Sequence, residues 1–282
     1  MEGSQGSCAA PGTQESSMQE DSGSFSFMPS DPWASGEKSG RPLGERRFLL
    51  WHLWLPLALL TGLLILFETT DLDLRLSDPF FDFERGLFFW RDTWWAKRLL
   101  HSGGKIFVGV IWLCLLFLWI YQFIRGNSTK LRSWRTSLVF LMISMALGPI
   151  TVAGIKLLVN RPYPEHIKRY GGPLEYNKLF ERPPPTGKHY KGFPAGHASA
   201  GYGLVGLYLV LRETRPRLAA WGLIFGLGLG SLFGFAQHVR GMHYFSHNLW
   251  SAAICWFEAL FLYLVFFRGR LQTIRAQNPP GS

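Results

Sequence analysis

The sequence predicts an all-α, polytopic membrane protein with six transmembrane helices and a disordered N-terminal tail. The first observation is composition, because 48% of the 282 residues are hydrophobic and gather in long runs with few charges. The second is the length of these runs, since a helix needs about 20 apolar residues to cross the roughly 30 Å hydrocarbon core of a bilayer. Five runs reach or approach that length, at residues 48–67, 106–124, 136–159, 218–237 and 247–267.

The sixth predicted span, residues 194–211, differs from the other five. It begins with PAGHASAGYG and only then continues into the apolar stretch LVGLYLVL. Small and polar residues in the first turns are typical of a helix that lines a cavity or packs closely on its neighbours. In the run 218–237, the small residues of GLIFGLGLGSLFG recur every four positions and predict close helix packing around the same place.

The two ends of the chain are predicted to lie outside the membrane domain. Residues 1–46 are rich in Gly, Ser, Pro and acidic residues and have too little apolar surface to offset the entropy of folding. We interpret them as a disordered cytoplasmic tail, residues 47–268 as the six-helix membrane domain, and residues 269–282 as a short cytoplasmic tail. Because no basic and apolar leader precedes the first run, that run is expected to stay in the mature protein.

The formal net charge of +10 resides largely in short loops between the hydrophobic runs. This distribution argues against a nucleic-acid-binding face and favours anionic lipid as a partner. With six helices, most Lys and Arg clusters fall on one side, which the positive-inside rule assigns to the cytoplasm together with both termini. Cys8, Cys114 and Cys255 have neither a disulfide pattern nor the spacing of metal ligands, and we expect no cofactor and no metal.

One loop on the opposite side of the membrane departs from the charge rule. Residues 160–193 contain seven Lys and Arg residues against three glutamates. A loop that is this basic on the non-cytoplasmic side favours the binding of an anion.

Three segments at the ends of predicted helices contain residues suited to phosphate chemistry: GIKLLVNRPYP, GFPAGHASAG and HVRGMHYFSHN. Their candidate residues are Lys156, Arg161, Gly196, His197, Arg240, His243 and His247. Taken singly, each is explained by a structural role, such as the snorkelling of a lysine to the headgroups. Together, the cations and a helix N-terminus can hold phosphoryl oxygens, one imidazole can attack phosphorus and another can protonate the departing oxygen. The set predicts phosphoryl transfer without a metal.

The order of these segments resembles the signature of the type 2 phosphatidic acid phosphatase superfamily, the integral membrane relatives of the vanadium haloperoxidases. That signature is a lysine followed by Arg-Pro, then Pro-Ser-Gly-His, then an arginine followed by a histidine and an aspartate. The resemblance covers about residues 50–268, and it implies that His243 is the nucleophile that forms a phosphohistidine and that His197 is the general acid. It also implies that the phosphoryl oxygens are neutralised by Lys156, Arg161, Arg240 and the Gly196 amide.

The motifs depart from the family pattern at four positions. Arg161 stands two residues nearer the lysine than in the family, so Arg169 is a second candidate for its phosphate-binding role. Ala195 replaces the serine of Pro-Ser-Gly-His, which removes one hydroxyl donor. Arg240 stands three residues nearer the nucleophilic histidine than in the family.

The fourth departure is His247, which stands where the family has an aspartate that accepts the ring N–H of the nucleophile. A neutral imidazole can accept a hydrogen bond but supplies no negative charge. The orienting role is open between His247 itself, the side-chain carbonyl of Asn248, and a carboxylate from elsewhere such as Glu165 or Glu175.

The resulting prediction is a metal-independent membrane phosphatase that acts on an amphiphilic lipid phosphate or diphosphate. Undecaprenyl diphosphate and lipid A are favoured over phosphatidic acid and phosphatidylglycerol phosphate, because the basic loop offers more charge than one monophosphate needs. The resemblance to the superfamily implies that the membrane is a bacterial inner membrane and that the site faces the periplasm or the outside.

Three alternatives stay open at this point. The same phosphohistidine would also serve a lipid phosphotransferase, and the missing aspartate also fits a catalytically weak protein that binds lipid phosphates. A zinc hydrolase would use His197, His243 and His247 as ligands, against the repulsion of the neighbouring cations.

Overall fold

The structure, a computed structural model, describes residues 45–124, 134–182, 185 and 187–267. Helices make up most of this part of the chain. They are α1 (Arg46–Thr69), α2 (Leu72–Ser77), α3 (Trp95–Ile124), α4 (Arg135–Leu158), α5 (residues 196–211), α6 (Pro216–His238) and α7 (Phe245–Phe266). Between α2 and α3, a short antiparallel hairpin pairs β1 (Phe81–Asp82) with β2 (Leu87–Phe88). Of the predicted tails, residues 1–44 and 269–282 lie outside the described residues.

Within the described residues, five helices are long and apolar enough to cross a membrane: α1, α3, α4, α6 and α7. They correspond to five of the six predicted spans, with ends that differ by up to a few residues except at the start of α3. Only 6% and 11% of the apolar windows of α1 and α3 are buried, against 33% to 44% for the other three. Of these five helices, α4, α6 and α7 therefore contribute most to the bundle interior, while α1 and α3 expose most of their apolar surface.

The sixth predicted span is not confirmed as a membrane-spanning helix. Helix α5 consists of the α-helical Gly196–Tyr202, the 3₁₀ turn Gly203–Val205 and the α-helical Gly206–Leu211. Its rise is roughly 25 Å, which is less than the hydrocarbon thickness of a bilayer. Most of α5 is buried among its neighbours, because its small residues suit contact with other helices rather than with lipid.

Close packing between α5 and α6 confirms the prediction from the small-residue repeat. A Cβ atom added at Gly230 would lie 2.3 Å from the Tyr202 ring, and one at Gly226 would lie 2.8 Å from the Val205 backbone nitrogen. A Cβ at Gly201 would lie 2.4 Å from the backbone nitrogen of Gly230. The glycines thus let the two helices run side by side in opposite directions. We call the end of the bundle where α4 and α6 end and α5 and α7 begin the site end.

The segment between α1 and α3 folds over the site end. Asp73 of α2 accepts hydrogen bonds from the backbone N–H of Ser246, at 2.9 Å, and from its hydroxyl, so it caps the first turn of α7. Gly241 has a φ of +74°, and a Cβ atom there would lie 2.3 Å from the Phe88 ring. The hairpin therefore packs directly on the turn 239–244 between α6 and α7.

At the opposite end of the bundle, α1 is docked through a buried histidine. His52 donates from Nδ1 to the Phe48 carbonyl at 2.8 Å, and its Nε2 lies 2.7 Å from the Tyr208 hydroxyl. Trp256 of α7 donates to the His52 carbonyl at 2.8 Å. Helix α1 widens into a π-helical turn at Leu50–Trp54, which brings this side chain and this carbonyl to their partners.

Candidate active site

The three motif segments meet at the backbone of Gly192. Its N–H donates to the Arg161 carbonyl at 2.8 Å, which ties it to the residues that follow α4. Its carbonyl accepts a hydrogen bond from Nδ1 of His243 at 2.6 Å, and His247 forms a hydrogen bond with the same carbonyl. A Cβ atom at position 192 would lie 2.5 Å from the Arg161 carbonyl oxygen, so only glycine fits there.

The start of α5 is held against the first turns of α7. The Ala195 N–H donates to the His247 carbonyl at 3.2 Å, and the Ser251 hydroxyl donates to the Ala195 carbonyl at 3.0 Å. His197 follows at the second position of α5, and its side chain is close enough to His243 for their charges to interact. These contacts bring the second and third motifs together.

Lys156 of α4 reaches this cluster from the first motif. Its Nζ donates to the Lys191 carbonyl at 2.7 Å. A Cβ atom built at Gly196 would lie 3.2 Å from the Lys156 Cε and 3.9 Å from its Nζ, so the ammonium group lies beside the first turn of α5. The residues that the structure brings together are Lys156, Gly196, His197, His243 and His247.

Burial and a nearby cation determine the protonation of His243. Desolvation, followed by the positive charge of Lys156, lowers the pKa of His243 well below its ordinary value. Because the Gly192 carbonyl can only accept, Nδ1 carries the ring proton and Nε2 keeps its lone pair. A neutral imidazole with this lone pair is the form that a nucleophile or a general base requires.

His247 does not take the place of the missing aspartate directly. Its ring centroid lies 6.0 Å from that of His243, and both imidazoles bind the Gly192 carbonyl instead of each other. The His247 ring is 7% exposed, and its Nδ1 has no hydrogen-bond partner among the described residues.

The other groups considered from the sequence contact other parts of the structure, although Oδ1 of Asn248 has no hydrogen-bond partner among the described residues. Asn248 packs against α6, where a Cβ atom on Gly234 would lie 2.1 Å from its Oδ1. Glu165 forms an ion pair with Arg91, and Glu175 forms one with Lys168. The acceptor that orients His243 is therefore a backbone carbonyl, which sequence reasoning missed. The one signal for it was the glycine two residues before Pro194 in KGFPAGH.

The two predicted phosphate-binding arginines of the first and third motifs are held by protein carbonyls. Arg161 donates to the carbonyl of Asn160 at 3.2 Å and to those of Leu179 and Glu181, while its positive charge acts on His247. Arg240 donates from Nε to the Arg91 carbonyl at 2.9 Å, and from Nη1 to the Gln237 side chain. Arg161 thus lies beside the cluster, whereas Arg240 is directed toward the segment that covers it.

Arg169, the second candidate for the role of Arg161, is engaged outside the cluster. It forms a bidentate ion pair with Asp78, at 2.7 Å from Nε to Oδ1 and 2.6 Å from Nη2 to Oδ2. The guanidinium lowers the pKa of the Asp78 carboxyl. One edge of the guanidinium, Nε with Nη2, thus ties the 160–193 loop to the residues after α2, and phosphate binding by Arg169 stays a prediction.

The zinc alternative finds no ligand set in the part of the chain that the structure describes. No group of three or more His, Cys, Asp and Glu side chains there is arranged so that it could hold a metal ion.

Comparison with protein-family models matches residues 137–270 to the PAP2 superfamily. The matched residues contain all eight predicted site residues. No curated protein and no solved structure shows a significant match to the chain.

Proposed function

Residues 137–270 belong to the PAP2 superfamily, and on that premise we propose that this integral membrane protein removes phosphate from a membrane lipid phosphate without a metal. Members of the superfamily are generally phosphatases. The observation that carries the proposal is the 2.6 Å hydrogen bond from His243 Nδ1 to the Gly192 carbonyl. It holds a neutral imidazole with its Nε2 lone pair available, beside Lys156 and His197.

In the proposed first step, Nε2 of His243 forms a bond to phosphorus while the bond from phosphorus to the lipid oxygen breaks. His197 gives its proton to the departing oxygen, and the lipid alcohol leaves. In the second step, water attacks phosphorus, His197 takes a proton from that water, and the N–P bond breaks to release inorganic phosphate. Lys156, the Gly196 amide and Arg161 would neutralise the phosphoryl oxygens, and Arg240 would join them by turning from the Arg91 carbonyl and the Gln237 side chain.

An apolar groove beside the cluster supports an amphiphilic substrate. A cavity of about 520 Å³ opens between the end of α4 and α7, with Arg161 at its polar side. Its wall includes Leu158 and Phe180, which are 84% and 77% exposed. Phe193 also lines the groove, and its ring centroid lies 5.2 Å from that of His247. A lipid tail in the groove would place its headgroup next to the imidazoles.

The lipid itself is proposed as one of four: undecaprenyl diphosphate, lipid A, phosphatidic acid or phosphatidylglycerol phosphate. Three cations of the basic loop are compensated by ion pairs, which are Lys168 with Glu175, Arg169 with Asp78 and Lys178 with Asp71. The loop therefore favours a diphosphate less strongly than its count of cations predicts. We also propose a bacterial inner membrane, cytoplasmic termini and a site that faces the periplasm or the outside.

The test is phosphate release from these four lipids by the full-length protein in detergent. Wild type is compared with His243→Ala and His197→Ala, each with EDTA and with vanadate, and His52→Ala serves as a buried-histidine control. We expect activity that survives EDTA, falls with vanadate, disappears in His243→Ala and persists in the control.

Activity lost with EDTA would overturn the metal-free chemistry. If wild type releases no phosphate but transfers it to a lipid acceptor, the reaction is phosphotransfer and not hydrolysis. Vanadate binding without turnover of any lipid would support a binding protein in place of an enzyme.

A further inference from the structure

A small enclosed polar cavity lies beside His247. Its volume of about 20 Å³ is suited to a single water molecule. The wall includes Glu68 from the end of α1, Asp73 from α2, and Tyr244 from the turn that precedes α7. Two carboxylates and an imidazole thus face one space that is shielded from solvent.

Buried polar atoms without a protein partner cluster around this cavity. They are Nδ1 of His247, the Tyr244 hydroxyl, Nε of Arg161 and Oδ1 of Asn177, and all four residues line it. Such atoms are destabilising unless they are hydrogen-bonded, and a water molecule with two to four polar neighbours satisfies them. The cavity therefore has the size and the chemistry of a built water site.

Asp73 is the most buried carboxylate on this wall, at 4% exposure. Burial raises the pKa of Asp73 to about 6, while the hydrogen bonds from Ser246 oppose that shift. The carboxyl is accordingly ionised at neutral pH. The site end thus contains a buried negative charge, although the third motif lacks its aspartate.

We propose that Asp73 is the carboxylate that supports His243, acting through one water molecule in this cavity and through His247. The water donates one proton to Asp73 and the other to Nδ1 of His247. The remaining ring nitrogen of His247 then carries the proton and donates to the Gly192 carbonyl, which also accepts from His243. Asp73 is a positioning residue in this scheme, since it touches neither substrate nor the reacting atoms.

This inference rests on the proposed function. It supplies the negative charge that the aspartate missing from the third motif would provide. As the N–P bond forms, the His243 ring gains positive charge, and a carbonyl dipole stabilises that charge less than a carboxylate does. Ionised Asp73 supplies the negative charge from farther away, and the hydrogen-bonded chain fixes the tautomer of His247.

Asp73→Asn separates this role from simple helix capping. The asparagine oxygen can still accept from the Ser246 N–H, so the cap is retained while the charge is lost. Ser246→Ala is the matched control, because it removes the hydroxyl hydrogen bond to Asp73 and leaves the carboxylate and its bond to the backbone N–H in place. Thermal unfolding in detergent establishes that both variants are folded.

We expect kcat of Asp73→Asn to fall about tenfold or more with KM within about twofold, and kcat of Ser246→Ala to fall less than about threefold. The ratio of wild-type to Asp73→Asn rates should be largest near pH 8 and approach one below about pH 5, because protonated Asp73 is as uncharged as asparagine. Taking the ratio cancels the titration of the substrate. The ionisable groups that face Asp73 in the cavity are Glu68, Arg161, Tyr176, Lys178, Tyr244 and His247.

Equal losses in the two variants, or a ratio that does not change with pH, would show that Asp73 only holds the start of α7 in place and would overturn the inference. Should Asp73→Asn not fold, His247→Gln tests the same chain from its other end. The acid-dependent loss of rate attributed to Asp73 should then be absent, and its persistence would contradict the scheme.

Inactive wild type would overturn the proposed function but would still leave the inference open to a spectroscopic test. Infrared titration should show a carboxyl band that appears on acidification in wild type and is absent in Asp73→Asn. A midpoint that shifts in His247→Gln supports the coupling of the two side chains. An unshifted midpoint overturns it.

Discussion

Two ends of the same bundle bury histidines in opposite ways. At the end away from the site, both ring nitrogens of His52 have partners, and the ring stacks on Phe48 with centroids 4.3 Å apart. At the site end, His243 has one partnered nitrogen that fixes its tautomer, and His247 has an Nδ1 without a protein partner. A fully hydrogen-bonded histidine stabilises the packing around it, whereas a partly bonded one retains a lone pair for chemistry.

The largest expected effect is the loss of kcat/KM when His243 at the site end is replaced by glutamine, compared with the same substitution of His52 at the other end. His243→Gln should lower kcat/KM by about 10⁴-fold or more, because no other group at that position forms the bond to phosphorus. His52→Gln should leave kcat/KM within about threefold and lower the unfolding free energy by about 1–3 kcal/mol, because buried hydrogen bonds lose their geometry. Lipid phosphate turnover and thermal unfolding in detergent measure both. Equal activity losses in His243→Gln and His52→Gln would contradict a catalytic role for the first histidine and a structural role for the second.

The next effect concerns the backbone that holds the site together. Gly192→Ala should lower kcat by roughly 10²-fold, since the added Cβ displaces the carbonyl that orients His243. Gly154→Ala in α4 is the control, because a Cβ there meets nothing within 4 Å, and it should keep full activity. Activity of Gly192→Ala close to wild type would mean that the His243–Gly192 hydrogen bond does not matter for turnover.

A smaller effect is expected in the pH dependence of stability. The folded state lowers the pKa of His243, so below the ordinary value of 6.5 the unfolded chain binds a proton that the folded chain does not. This contribution to stability is therefore present above about pH 6.5 and is lost as the pH falls toward the folded pKa. His243→Gln should show a shallower loss of stability on acidification than wild type, measured by unfolding between pH 7 and 5. Identical slopes would contradict burial of a neutral His243.

The smallest effect is expected at the exposed ion pair of Arg169 with Asp78. Arg169→Ala removes the bond to Asp78, and it should cost less than about 1 kcal/mol of stability because solvent screens the pair. Activity should stay within about twofold of wild type, with Lys168→Ala as the matched control for loss of a loop cation. A tenfold rise in KM for Arg169→Ala, without such a rise for Lys168→Ala, would show that Arg169 binds the phosphate.

Most of the helical architecture could be predicted because hydrophobic run length and small-residue spacing are local properties of the chain. The runs around 136–159, 218–237 and 247–267 became α4, α6 and α7 with boundaries shifted by a few residues. The run 194–211 stays unconfirmed as a sixth span, since its apolar second half suits the interior of a bundle as well as lipid. Burial among helices and burial in lipid require the same residue types, and only packing separates them.

The sequence by itself determined the chemical composition of the candidate site. The order of lysine, histidine and arginine motifs predicted phosphate chemistry and identified Lys156, His197 and His243, which the structure brings together. Side-chain types limit which reactions are available, and they can be read without coordinates.

Only the tertiary structure decided which groups orient those side chains. The acceptor for His243 is the carbonyl of Gly192. The buried carboxylate that we propose as its support is Asp73, which lies in a distant part of the chain. A backbone carbonyl is present at every residue, so no motif distinguishes the one that matters. Its position depends on how α4, α5 and α7 converge, and that convergence results from packing between distant segments.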